Sequence, residues 1–437
     1  MSSTPNSNKI SGNALNLAIL GGTPVRQKPF DYYPIFDNNE EEAVKKLMES
    51  RKLSGFFRDF LGGEKVQEFE KAFAGYFGMK HCIAVNSGTS ALHAAIASLG
   101  IGPGDEVIVP AYTFTATASA VVMNNAVPVF CDIKDDFTAD PEDIERKITP
   151  HTKAIIPVHL FGKVCDMEKI METAKKHNLF VIEDACQSPG SRLGKNGKLA
   201  GTFGDLACFS TVETKNIVTG EGGLITTNND EYAEKCRMVR NHGEAWTRGK
   251  PRAYLSNMLG YNFRMTEFEA VIGIEQIKKL DRLNKIRNEN AAFLLKRLCK
   301  INQLKMPEIG DGQAIHLLCL QYDENKSKVP KEKVVEALRK EGINISLGYP
   351  HPLYMNPLFM EKIAFGDKGC PFKCPFYNGS VKYEKGMCPN TEKIIRNAVW
   401  IMDIRAPNTL ADMEDIAKAF EKVFGSLNML KDVKINE

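Results

Sequence analysis

No stretch of the chain runs for about 18 apolar residues without interruption, the length a helix needs to cross a bilayer. Residues 1–13 are polar and hold no apolar signal core, so neither secretion nor membrane insertion is expected and a cytoplasmic protein is. Charge of one sign is scarce too. The formal net charge is +3 over 437 residues, and no run of Lys or Arg is interleaved with aromatics, so nothing calls for nucleic acid as a partner. Phosphorylated small molecules are compatible with that balance. The 11 cysteines are odd in number and scattered, which does not describe a disulfide framework, and free thiols are expected. Cys370-Pro-Phe-Lys-Cys374, with Cys388 downstream and His351 upstream, is the one cluster. Its spacing is irregular for zinc, so no metal is assigned and a cysteine-rich loop on the substrate side is expected.

What is present is an ordinary globular composition, 43% hydrophobic and 25% charged, enough for one large domain and a smaller one. Strands are expected at 81–85, 106–109, 128–131, 154–158, 180–183 and 224–227. Helices are expected at 66–77, before the first of these strands, and between later ones at 115–123, 141–147 and 167–177. The apolar runs are short and continuous, as they are when both faces of a parallel sheet are covered. The fold class is therefore α/β, a large domain with a mainly parallel central sheet plus a smaller C-terminal α/β domain. A flexible leader is expected over 1–19, the large domain over 20–285 and the small one over 286–437. Residues 348–390, rich in Pro, Gly, Cys and aromatics, read as a long loop of the kind used for function. Residues 51–63 place Phe56, Phe57, Arg58 and Phe60 between glycines, facing either substrate or a partner subunit.

The candidate site gathers after strand ends, where open α/β sheets bind ligands. Asn86-Ser-Gly-Thr-Ser-Ala-Leu92 is a strand-to-helix junction in which Gly88 permits a tight turn and Thr89 lies at the helix start, a place for an anion. The plain alternative is a Ser/Thr helix cap. Phe114 and Asp184 follow two other strands, with Gln187 a helical turn beyond Asp184. Ser210 and Lys215 follow a further short apolar run, ahead of the flexible Gly220-Glu-Gly-Gly223. Pyridoxal 5'-phosphate requires an amine to bind it, an acid at its ring nitrogen, a flat surface and donors for its phosphate. Lys215 supplies the amine and acts afterwards as general base and acid; Asp184 pairs with the ring nitrogen; Phe114 stacks; Gln187 meets the ring hydroxyl; Gly88, Thr89 and Ser210 take the phosphate.

On these residues the chain resembles the DegT/DnrJ/EryC1/StrS family of sugar aminotransferases, of fold type I, like aspartate aminotransferase. The specific pieces are the Asn86 to Leu92 motif, Gly102-Pro-Gly-Asp-Glu-Val-Ile-Val-Pro110, Ile155-Ile-Pro-Val-His-Leu-Phe-Gly162, Glu183-Asp-Ala-Cys-Gln187 and Gly220-Glu-Gly-Gly223. The likeness starts at Gly21-Gly-Thr-Pro-Val-Arg26, runs to about residue 290 and returns in the C-terminal tract. It implies Lys215 as the Schiff-base lysine and Asp184 as the ring-nitrogen partner. It also implies a homodimer with shared active sites, in which Asn262 of Gly260-Tyr-Asn-Phe-Arg264 reaches the neighbouring subunit's phosphate. The implied activity passes an amino group from glutamate or glutamine to a nucleotide-linked keto-sugar, in amino-sugar biosynthesis. A keto-cyclitol such as scyllo-inosose is the alternative acceptor, and a sugar dehydratase or a non-catalytic regulatory homologue are further alternatives. A lysine at 215, where the dehydratases carry histidine, speaks for amine transfer. Arg58, Arg248 and Arg252 are candidates for a nucleotide diphosphate, each set against the plain reading of a solvated charge.

Overall fold

The computed structural model describes residues 16–245 and 252–434. Seven strands form the large sheet: β1 (His81–Val85), β2 (Glu106–Pro110), β3 (Val127–Cys131), β4 (Thr152–Ile155), β5 (Phe180–Asp184), β6 (Leu206–Ser210) and β7 (Gly223–Thr227). Their order across the sheet is β1-β7-β6-β5-β4-β2-β3. From β6 to β3 all neighbours pair in parallel, and β7 alone runs against β1 and β6. Successive side chains of a strand point to opposite faces. Ile83 and Val85 accordingly enter one core with the helix Gly88–Ser98, while Cys82 and Ala84 enter another with the helix Glu64–Phe77. Both faces are covered, which is why the strands read as unbroken apolar runs.

A second, antiparallel sheet comprises β8 (Leu304–Lys305), β9 (Leu318–Tyr322), β10 (Ile345–Ser346) and β11 (Ala398–Ile401), in the order β10-β11-β9-β8. The helix Glu267–Leu298 joins the two halves: Ala270, Ile277 and Leu280 pack in the large-sheet core, Ala291, Leu294 and Leu298 in the small-sheet core. The boundary expected at 285/286 thus falls inside one helix, which Thr266 and Glu269 start with a reciprocal capping box. Residues 1–15 lie outside the described residues, but 16–19, expected as the end of a leader, are tied down. Leu17 is fully buried in the small-sheet core, and Ala18 N donates to Glu341 Oε1 at 2.8 Å.

The region read as a functional loop has another job over most of its length. Leu353 N donates to Ala111 O at 3.0 Å, just beyond the end of β2. The chain then crosses the edge strand β3, with Phe359 and Tyr383 stacked edge-on to Phe130 at 5.1 and 5.6 Å. Tyr377 OH reaches Glu106 Oε1 (2.6 Å) and Tyr383 OH reaches Pro128 O (2.7 Å), at the starts of β2 and β3. Asn390 N and Thr391 N return to the Asp132 carboxylate at 2.9 and 2.8 Å. An exposed sheet edge invites pairing with another chain, and here proline and aromatic residues cover it. Cys370 and Cys374 lie on the stretch between Phe359 and Tyr383 that packs against β3, and Cys388 lies near Cys131 at the end of β3.

Arg240, fully buried, binds four parts of the large half together. Its Nη1 donates to Glu70 Oε1 (2.7 Å) and Ala84 O (3.1 Å), its Nη2 to Phe60 O (3.3 Å), and the guanidinium sits 4.7 Å from the Phe56 ring centroid. This splits the 51–63 loop: Phe56 and Phe60 are buried, while Phe57 and Arg58 face outward. Removing one member of a buried pair leaves the other charge uncompensated. Arg240→Ala is expected to cost about 3–5 kcal/mol in urea unfolding. Lys80→Ala, at the exposed 2.7 Å pair with Asp230, is expected to cost less than about 1 kcal/mol.

Candidate active site

β1, β2, β5 and β6 point the same way, so the residues that follow them collect along one edge of the sheet. β7 runs the other way and begins there, with Gly223 paired to both Val85 and Ser210. Two glycines let these segments close up. A Cβ on Gly223 would lie 2.3 Å from Ser87 O, and one on Gly88 would lie 2.8 Å from Ser210 Cβ and 3.2 Å from Cys186 Sγ. Gly88 opens the helix Gly88–Ser98, where Ser87 Oγ accepts from Ser90 N at 3.0 Å. The first amides of that helix have no partner within it, and the Thr89 and Ser210 side chains flank them, so the cup can hold an anion.

Asp184, the buried last residue of β5, accepts from Thr117 Oγ1 at 2.8 Å and from Cys186 N at 3.2 Å. Next to it the Glu183 carboxylate accepts from His159 Nε2 and from the amides of Gly201, Phe203 and Gly204, at 2.6–2.8 Å, which fixes the end of β5. Gln187 Oε1 accepts from Phe161 N at 3.0 Å, and its NH₂ faces the hydroxyl of Tyr349, which also lies near Asp184. Phe114 lies in the turn before the helix Ala116–Met123 and is 57% exposed, its ring open to a ligand.

Lys215 sits in a tight turn, its N donating to Val212 O at 2.9 Å. The side chain is largely withdrawn from water, and its amine makes no hydrogen bond or ion pair to the described residues. Burial lowers the proton affinity of that amine, and the nearby Cys186 and Asp184 oppose the shift without cancelling it. The Lys215 carbonyl accepts from Tyr33 OH and, at 3.5 Å, from Arg287 Nη2. Arg287 Nη1 donates to His316 O at 2.9 Å. Arg405 lies 4.4 Å from the Tyr33 ring centroid, with no hydrogen bond from its guanidinium to the described residues.

Thr117, Tyr33, Arg287, His316 and Arg405 were not foreseen. Arg287 alone left a signal: it stands in phase with Leu280, Leu283, Ala291 and Leu294, a charge on the apolar stripe of a helix. The other four lie far from Lys215 in the chain and have no distinctive neighbours. Asn262 is exposed and accepts from Arg264 Nε at 2.8 Å, in a segment that pairs with the end of β1 through Asn86 N and Phe263 O. Arg58 is exposed, Arg252 pairs with Glu244 at 2.6 Å, and Arg248 lies outside the described residues. Cys388 is buried and Cys370 and Cys374 are half-buried; His351 Nε2 meets Asn356 Oδ1 at 2.7 Å. Among the described residues no three His, Cys, Asp or Glu side chains group so as to hold a metal ion.

Comparison with known proteins gives matches across this whole region. The DegT/DnrJ/EryC1/StrS aminotransferase family matches residues 34–371. GDP-perosamine synthase of Caulobacter vibrioides is 39% identical over 328 residues, 74% of this chain and 85% of that protein. L-glutamine:2-deoxy-scyllo-inosose aminotransferase of Streptomyces kanamyceticus is 32% identical over 424 residues, 93% of this chain and 96% of that protein. The solved structure of ntda from Bacillus subtilis, with bound cofactor PMP, superposes with a TM-score of 0.75 at 27% identity, covering 92% of this chain and 87% of that one. Gly88→Ala tests the anion cup, because its methyl would press on Ser210. Overpacking of that kind costs about 1–3 kcal/mol, so cofactor retention in equilibrium dialysis is expected to weaken roughly tenfold with the fold unchanged.

Proposed function

The chain belongs to the DegT/DnrJ/EryC1/StrS aminotransferase family, and from that premise we propose that it moves an amino group from glutamate or glutamine to the ketone of a nucleotide-linked sugar. It is an enzyme that uses pyridoxal 5'-phosphate. The residues at the strand ends fit that cofactor. The glycine-lined cup has no room for a Cβ at 88 and offers helix amides with the Thr89 and Ser210 hydroxyls to a phosphate. Asp184 presents a carboxylate already oriented by two donors, suited to a ring nitrogen that carries a proton. Phe114 offers an open ring face, and Gln187, its carbonyl oxygen held by Phe161 N, offers an amide NH₂ shared with Tyr349. When bound, the cofactor supplies a carbonyl that can be exchanged for an amine and a ring that accepts an electron pair.

The observation that carries the reading is the Lys215 amine, largely buried, near Asp184 and without a hydrogen bond or ion pair to the described residues. With its proton affinity lowered, Lys215 Nζ can take a proton from the donor's Cα and return it, the work of a general base and acid at one atom. Tyr33 and Arg287 hold the main chain of Lys215 so that only its side chain moves. Arg405, whose charge acts on the nearby Asp403, has no hydrogen bond or ion pair from its guanidinium to the described residues and is suited to the α-carboxylate of the donor. A homodimer with shared sites belongs to the same reading, Asn262 being exposed and able to reach a second copy. So does a place in the cytoplasm, and among the described residues no helix is long and apolar enough to cross a membrane. The division into 20–285 and 286–437 is part of the proposal, with the helix Glu267–Leu298 shared between the two.

A keto-cyclitol acceptor is the second reading, favoured by one observation: the match to the inosose aminotransferase spans 424 residues, against 328 for the perosamine synthase. The two separate in a half-reaction. Enzyme loaded with amine from glutamine or glutamate and freed of donor is expected to return to its starting visible spectrum on addition of a nucleotide-linked keto-sugar. A return with scyllo-inosose alone replaces the first reading by the second. Lys215→Ala is expected to lower the rate by on the order of 10²–10⁴ in the same assay.

A further inference from the structure

One aromatic ring stands between the lysine turn and the antiparallel-sheet side of the molecule. Tyr33 OH donates to the Lys215 carbonyl, which can only accept. The same ring carries two guanidinium groups, Arg405 at 4.4 Å and Arg287 at 5.1 Å from its centroid. Arg287 has other ties, to the carbonyls of His316 and Lys215. Arg405 has no such tie: its guanidinium makes no hydrogen bond or ion pair to the described residues, and its Nε is buried without a partner. The Tyr33 ring is what holds it.

The main chain on either side of that contact is pinned. Asn290, one helical turn beyond Arg287, donates through Nδ2 to the carbonyls of Ile404 (2.9 Å) and Asn408 (3.0 Å), and Asn408 N donates to Arg405 O at 3.1 Å. The turn that carries Arg405 is thereby fixed to the helix Glu267–Leu298. The segment that carries Tyr33 is fixed at both ends. Upstream, Arg26 pairs with Asp412 (2.9 Å) and Asp415 (2.8 Å) in the helix Leu410–Gly425. Downstream, Gln276 Nε2 donates to Ile35 O at 3.0 Å, and Lys279 pairs with Asp37 and Glu40 at 2.6 Å. Between these anchors Tyr32 is 96% exposed, while Tyr33 is half-buried against the lysine turn.

An aromatic face suits an arginine that must receive an anion. A carboxylate partner would occupy its N–H groups and cancel its charge. A ring attracts the guanidinium through its quadrupole and leaves the N–H edge open to a bidentate carboxylate. We infer that Tyr33 is a positioning residue that couples Arg405 to Lys215: its ring holds the guanidinium that takes the donor's α-carboxylate, and its hydroxyl holds the main chain of the lysine that takes the donor's proton. The inference rests on the reading of Arg405 as the donor-carboxylate group and of Lys215 as the cofactor lysine. The donor's Cα is bonded to that carboxylate, so the spacing of Arg405 from Lys215 decides whether the Cα proton comes within reach of Nζ.

Tyr33→Phe and Tyr33→Leu separate the ring from the hydroxyl. The probe is glutarate, which keeps the carboxylates of glutamate and lacks the amine, titrated into holoenzyme in a calorimeter. The attraction of a ring for a desolvated guanidinium is large enough that Tyr33→Leu is expected to raise the glutarate Kd roughly tenfold, whereas Tyr33→Phe leaves it unchanged. In the half-reaction with the amino donor, Tyr33→Phe is expected to lower the limiting rate several-fold at an unchanged half-saturating donor concentration, and Tyr33→Leu to change both. A folded Tyr33→Leu holoenzyme that binds glutarate as the parent does overturns the inference. So does a Tyr33→Phe holoenzyme that binds it as weakly as Tyr33→Leu.

If Tyr33→Leu does not fold, NMR of the parent labelled with ¹⁵N-arginine decides. The Nε–H signal that is absent from Arg405→Lys is expected to be displaced by the Tyr33 ring current; a signal at the ordinary arginine position overturns the inference. Glutarate that fails to bind the parent, or that binds Arg405→Ala equally well, contradicts the donor-carboxylate reading itself, and the inference falls with it.

Discussion

A lysine amine taken out of water without a partner is the constraint to which the rest of the structure answers. Desolvation of Lys215 works against folding, since an ammonium group loses its hydration and receives no hydrogen bond in return from the described residues. The same desolvation makes the amine easier to deprotonate, and so a readier nucleophile toward a carbonyl. Asp184 and Cys186 are close enough to soften the effect and do not abolish it. A direct ion pair would have kept the proton on the amine. The site instead ties down everything around Lys215 Nζ: its carbonyl by Tyr33 and Arg287, its neighbour Asn216 by Asn284 and His316.

The sheet makes that arrangement possible. Parallel strands deliver Asp184, Ser210, the Gly88 turn and the Phe114 turn to one edge, and antiparallel β7 brings Gly223 back to the same place. Each contribution is short and stiff, because the residue concerned ends a strand or opens a helix. The antiparallel sheet adds what the large sheet lacks. Arg405 and His316 come from its side of the molecule, and Arg287 comes from the helix shared by both cores. Lys215 therefore lies where the two halves meet, and Arg287 spans the junction by donating to one carbonyl on each side.

How much of this could be read beforehand follows from the range over which each interaction acts. The strands of the large sheet were legible because burial on both faces writes continuous apolar runs into local sequence. Strand β1 starts and ends where it was expected, and others differ at their ends by a residue or more. That Gly88, Asp184, Ser210 and Lys215 lie at or just after strand ends was legible because each belongs to a short local motif, and their roles belong to the proposal. Thr117, Tyr33, His316 and Arg405 were not, since their partners are remote in the chain and nothing local marks them. Arg287 was half legible, a charge in phase with a helix's apolar stripe. The 348–390 region does two things that sequence does not separate: Tyr349 sits by Asp184 and Gln187, while its later aromatic residues pack along β3. Tyr377 and Tyr383 among them bond at the starts of β2 and β3. One helix, Glu267–Leu298, runs through the expected domain boundary and contributes side chains to both cores.

The central claim is that Lys215, and no other lysine, holds the cofactor. Holoenzyme treated with borohydride, digested and mapped by mass spectrometry tests it most directly, since reduction fixes the cofactor permanently to the amine that carried it. The account predicts a single pyridoxyl-labelled peptide, the one containing Lys215. Label on a different lysine, with Lys215 recovered unmodified, would contradict it.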